Sequence, residues 1–124
     1  MQYITTDGFD KDFKKLSSRY CTLKDDFLMF KNYPLLAYHN RNENNNAFFP
    51  IAWLSIDDHR YSFVKVKKFA CRALKSRWAQ SWIRITYCYD NQENSVAFIE
   101  MYFKQDQTEC DHKKIHAYYK ALRK

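Results

Sequence analysis

The chain has 124 residues, enough to bury a core without disulfides, and 46% of them are hydrophobic. No run approaches the ~18 apolar residues of a membrane helix, and the opening MQYITTDGFDKDFKK has no charged-then-apolar leader pattern. We therefore expect one domain over 1–124, cytoplasmic and without a membrane partner. The net charge of +7 is concentrated: His59 to Tyr89 contains no acid and holds eight of the 21 basic residues, leaving 13 basic against 14 acidic residues elsewhere. A one-sign block of this kind points to an anionic partner.

Gln2 to Thr5 reads as a first strand. Thr6 or Asp7 can cap a helix carrying Phe9, Phe13 and Leu16 at helical spacing. Thr22-Leu23-Lys24-Asp25 has the layout of a capping box, and a second helix through Phe27 and Phe30 should end near Asn32, before Pro34. Residues 39 to 47, HNRNENNNA, are too polar for a core and read as a surface loop. Pro50 to Asp58 carries an apolar patch, Ile51, Trp53, Leu54 and Ile56, expected to pack beneath it. Three strands follow at Arg60–Phe69, Trp82–Tyr89 and Ser95–Phe103, with a hairpin at Asp90–Asn94, and a C-terminal helix from Asp111 to Leu122. The predicted class is α+β: a small antiparallel sheet with two N-terminal helices packed on one face, plus the C-terminal helix. Cys21, Cys71, Cys88 and Cys110 form no CxxC pair and read as reduced, mostly packed thiols.

The first of the three strands, RYSFVKVKKFACR, alternates with period two and puts Phe63, Lys65, Lys67 and Phe69 on one face. If it pairs with Trp82–Tyr89, then Lys65, Lys67 and Arg84 project from the face opposite the helices. Close cations in a solvated site repel by about 1 kcal/mol per pair, and a bound polyanion relieves that repulsion. Phe63, Phe69, Trp78, Trp82 and Tyr87 offer rings for base stacking, with core packing as the competing use of each. Gly8 is the only glycine, which argues against a phosphate-cradling glycine loop.

FVKVKKFACRALKSRWAQSWIRITYCYD followed by VAFIEMYFKQD resembles the RelE/ParE superfamily of toxins from bacterial type II toxin–antitoxin systems. The shared pattern is a K-x-K strand, a basic connection, a strand with arginine three residues before tyrosine, and an apolar strand ending in a basic residue. It covers about residues 60 to 106, and FDKDFKKLSSRYCTLKDDFLMFK matches the family's paired helices in order and character. Residues 38 to 58 look like an insertion relative to compact members. The resemblance implies a RelE-like fold and cleavage of mRNA, typically on the ribosome, with no metal and no small-molecule cofactor. Its partners would be mRNA, the ribosome and a cognate antitoxin. Lys65 and Lys67 fall on the family's strand lysines, Arg84 on its arginine, and Lys104 near its second active-site arginine. His112 is the candidate for the C-terminal acid, with Tyr102 behind it. ParE-like members instead poison DNA gyrase without catalysis. That is the alternative, and the lysine pair with Arg84 favours the enzyme.

The chemistry suits these residues. Attack by an RNA's own 2′-OH needs a base, charge stabilisation of the phosphorane and an acid for the 5′ oxygen. A lysine crowded by like charge gives up its proton more readily, which suits Lys65 or Lys67 to the base role. Arg84 presents a planar, permanently charged fork to phosphate oxygens. Lys68, Arg72, Lys75 and Arg77 would hold flanking RNA, together with Tyr87 and Tyr102. His112 and His116, one helical turn apart and beside Asp111, have zinc-compatible spacing, although surface or packing roles are the commoner use of such a pair.

Overall fold

The computed structural model describes residues 1–44, 46–51, 59–67, 69–74, 82–107 and 109–122. The chain runs β1 (Gln2–Thr5), α1 (Asp7–Arg19), α2 (Leu23–Asn32), α3 (Pro34–Arg41), β2 (Phe48–Pro50), β3 (Tyr61–Val66), a 3-10 turn at Arg72–Leu74, β4 (Ile83–Asp90), β5 (Ser95–Phe103) and α4 (His112–Leu122). The class is α+β, but the five-stranded sheet is mixed and not purely antiparallel. Its order is β1-β5-β4-β3-β2, and β1 lies parallel to β5, with Gln2 opposite Ser95 and Thr5 opposite Phe98. The β4–β5 hairpin is antiparallel as expected, and Asn94 in its turn takes φ 51 where no glycine is present. No helix among the described residues is long and apolar enough to cross a membrane.

Helix α1 starts where its cap demands. Thr6 Oγ1 accepts from Phe9 N at 3.2 Å, and the same hydroxyl donates to the Ile99 carbonyl at 3.1 Å, tying the helix start to β5. Asp7 and Asp10 in the first turn and Arg19 in the last complement the helix dipole. Phe27 of α2 then packs against Phe9, Phe13 and Phe98, with ring centroids 4.9 to 5.4 Å apart.

Thr22 does not form the expected capping box. It makes no cap bond; its hydroxyl donates to Asp26 Oδ2 at 2.7 Å and accepts from Ala73 N at 2.9 Å. Pro34 does more than end α2. It occupies the first turn of α3, where a missing N–H costs nothing, and α3 includes His39 to Arg41 of the expected loop. Asn42, at φ 56, stops that helix. The Asn44 side chain accepts from Ala47 N and Phe48 N and leads the chain into β2, an edge strand that tolerates Pro50. Trp53, Leu54 and Ile56 lie outside the described residues.

Two cores flank the sheet. Helices α1 to α3 bury Phe9, Leu23, Phe27, Phe30 and Leu35 against Val64, Val66, Ile85, Tyr87 and Phe98. On the other face, Ile115 of α4 packs with Phe63, Cys88, Ala97 and Ile99. The face expected to be open is therefore partly covered. Strand β3 also ends at Val66, so Phe69 does not continue the Phe63 face. It joins the first core, 5.6 Å from the Phe30 ring, whereas Phe63 meets Tyr119 of α4 at 5.9 Å.

Candidate active site

The sheet register assembles a polar patch beside α4. Across the strands, Phe49 lies opposite Lys65, Lys65 opposite Thr86, and Thr86 opposite Glu100; Arg84 lies opposite Tyr102 in the adjoining rung. The register slips between Thr86 and Tyr87, which pair with Glu100 and Phe98 and leave Ile99 as an extra residue. This bulge keeps Glu100 and Tyr102 on the α4 face while Met101 and Phe103 turn into the first core. Lys65, Arg84, Glu100 and Tyr102 thus share one face through backbone pairing alone.

Each cation is held differently. Arg84 Nη1 donates to the Lys67 carbonyl at 2.8 Å, fixing the guanidinium at the end of β3. Partial burial pulls its pKa below the ordinary arginine value, and neighbouring Tyr102 acts in the opposite sense. The Lys67 ammonium stands 4.6 Å from the Phe49 ring centroid, and the Lys104 ammonium 5.4 Å from that of Trp82. Lys104 N donates to the Trp82 carbonyl, so this pair continues the β4–β5 ladder beyond Arg84 and Tyr102. Among the described residues, no carboxylate lies within salt-bridge distance of Lys65 or Lys67.

Across Thr86 from Lys65 sits a buried acid. Glu100 is 1% exposed. Burial pushes its pKa up, against hydrogen bonds from Asp111 N (2.8 Å), Gln107 Nε2 (3.3 Å) and Thr86 Oγ1 (3.3 Å) and the charge of Lys114. The Asp111 bond connects the floor of the patch to the start of α4. His112 follows at once, exposed, as the first helical residue. The Tyr102 phenol is buried and its pKa is driven strongly upward by that burial, so it stays protonated across the working range. Cys110 lies close enough that the Lys65 charge favours its thiolate, although burial, the larger influence, pushes the thiol's pKa up.

Other expected contacts fall elsewhere. Tyr87 is fully buried in the first core, where its hydroxyl and His39 Nε2 share a 2.7 Å hydrogen bond, so it offers no ring to RNA. Phe63 and Phe69 are likewise buried; of the stacking candidates, Trp82 is the exposed one among the described residues. Arg72 Nε donates to Asp26 Oδ1 at 2.9 Å and its backbone N to Oδ2 at 3.0 Å, a bond set that anchors the chain to α2. Burial alone would raise the Asp26 pKa, but the bonds from Thr22 and Arg72 hold it below the ordinary carboxyl value. Arg60 is paired with Asp90 through two 3.0 Å bonds. Part of the basic block is thus neutralised by acids distant in sequence. Lys68, Lys75, Arg77 and Trp78 lie outside the described residues. A cleft of about 280 Å³ lined by Tyr38, His39, Ser62 and Tyr89 contains none of the candidate cations.

Comparison of the chain with family models, curated proteins and solved structures found no match.

Proposed function

We propose that the chain is a RelE-like toxin of a type II toxin–antitoxin system, acting in the cytoplasm. It cleaves mRNA on the ribosome by attack of a ribose 2′-OH on the adjacent phosphate, with no metal cofactor. One observation carries the reading: Lys65, Arg84 and Tyr102 occupy the same sheet face, beside the His112 end of α4. In this reading Arg84 binds the phosphate oxygens, its charge retained at working pH. Lys65 or Lys67 takes the 2′-OH proton. A bond forms from the 2′ oxygen to phosphorus, the bond to the 5′ oxygen breaks, and His112 or Tyr102 supplies that oxygen with its proton. The 2′-OH is already positioned on the ribose, which supplies the proximity a metal-activated water would otherwise need. The antitoxin neutralises the protein by covering this face with segments that order on binding.

The test is cleavage of a defined ribosome-bound message, with EDTA at a level that spares ribosomes, followed by end-group analysis. The expected products carry a 2′,3′-cyclic phosphate and a 5′-OH, and a 2′-deoxy sugar at the scissile position blocks the reaction. A 5′-phosphate product, or activity that appears only with added Mg²⁺, rejects the mechanism. Absence of cleavage together with gyrase inhibition supports the non-catalytic alternative.

A further inference from the structure

The loop between β5 and α4 gathers three donors of different chemistry. The Glu109 carboxylate, Cys110 thiol and His112 imidazole all lie within 4.8 Å of one another. Cys110 is buried, and Glu109 and His112 face solvent. The loop is braced from the sheet: Gln107 Nε2 donates to the Glu109 carbonyl at 2.8 Å and to Glu100 Oε2 at 3.3 Å, and Asp111 N donates to Glu100 Oε1 at 2.8 Å. Asp111 is employed otherwise, its Oδ1 accepting from Lys113 N and Lys114 N as the cap of α4. His116, expected from spacing to partner His112, is not in the group.

A tetrahedral zinc ion with bonds of about 2.0–2.3 Å sets its ligand atoms about 3.3–3.8 Å apart. Rotation of the two exposed side chains closes the remaining gap while the buried thiol stays in place. We propose that Glu109, Cys110 and His112 bind one zinc ion, with water in the fourth position. Thiolate and imidazole select zinc over the oxygen-seeking Mg²⁺ and Ca²⁺. Coordination releases the thiol proton to solvent. This inference shares His112 with the RNA-cleavage reading: a zinc-bound imidazole has no imidazolium proton to give, so in the zinc-loaded protein Tyr102 alone is left for the acid role, and the test below reads binding without turnover.

The experiment uses the reduced, metal-free full chain. Competition with a chromophoric zinc chelator should give a stoichiometry of one, and Co²⁺ should produce a thiolate-to-cobalt charge-transfer band in the near ultraviolet. Cys110→Ser should abolish the band and Cys21→Ser should leave it. His112→Ala and Glu109→Gln, both at exposed positions, should weaken zinc binding by at least about tenfold. Failure of the wild-type chain to bind zinc at micromolar concentration overturns the proposal, as does a band that survives Cys110→Ser. If Cys110→Ser unfolds the chain, His112→Ala decides: unchanged affinity overturns the site.

Discussion

Replacing Arg84 with alanine separates a catalytic from a structural role for this residue. In the fold, Arg84 Nη1 makes a 2.8 Å bond to the Lys67 carbonyl and a weaker 3.4 Å contact to the Ile83 carbonyl. Such a bond from a charged donor contributes about 1.5 kcal/mol net at an exposed site, a loss that lowers the melting temperature of a domain this size by about 5–9 °C. Against a typical stability of about 5 kcal/mol or more, that leaves less than about one molecule in several hundred unfolded. Loss of a charged donor aimed at a phosphorane should instead cost about 100- to 1000-fold in rate, or about 3–4 kcal/mol of transition-state stabilisation. Unfolding therefore cannot mimic the catalytic effect. Arg84→Lys should recover the charge but not the planar fork, and fall between the two. The assay is initial-rate cleavage of a ribosome-bound message, paired with a thermal melt of each variant. An Arg84→Ala protein within tenfold of wild type refutes the assignment. A melt lowered by much more than one hydrogen bond explains would make Arg84 structural.

Two pH profiles of stability should run in opposite directions. Burial lowers the His39 pKa from 6.5 to about 4, so between those values the unfolded chain binds more protons and stability falls as pH drops; His39→Gln should flatten that slope in urea titrations, and an unaltered slope would disprove it. Glu100 is raised by burial, so above the ordinary carboxyl value the folded chain holds the extra proton, and its contribution to stability declines as pH rises through the folded-state value. Glu100→Gln keeps an acceptor for Asp111 N but cannot ionise, and its melting temperature should gain on wild type as pH rises; a constant difference at every pH would refute this.

What could be read in advance was local. The bounds of β1 and β5 agree with expectation to the residue, because apolar runs and turn residues mark them. The α3 helix was missed because Pro34 suits a helix stop and a helix start equally well, and only the burial of Leu35 and Ala37 decides between them. The parallel β1–β5 pairing joins residues about 93 apart and has no local signature. The C-terminal helix was expected at Asp111–Leu122, but a helical pattern does not say which sheet face it covers. Tyr87 was a readable error: it alternates with Ile83 and Ile85 and shares their burial, so its parity already argued against RNA contact. The Arg72–Asp26 pair was beyond reach, since 46 residues separate its members.

Lys65 on β3 and Lys67 just past its end acquire a physical setting from these contacts. Two of the three cations have local partners: the Lys67 ammonium rests on the Phe49 ring, and Arg84 is turned onto a backbone carbonyl. The Glu100 oxygens are directed elsewhere, accepting from Asp111 N, Gln107 Nε2 and Thr86 Oγ1. Among the described residues no carboxylate forms a salt bridge with Lys65 or Lys67. A carboxylate placed on the surface between the lysines would pair with them directly. A carboxylate buried across Thr86 from Lys65 instead fixes the loop to α4. In the proposed function that distinction matters: the acid positions His112 through the Asp111 amide, and the lysines and Arg84 are left to meet the phosphate.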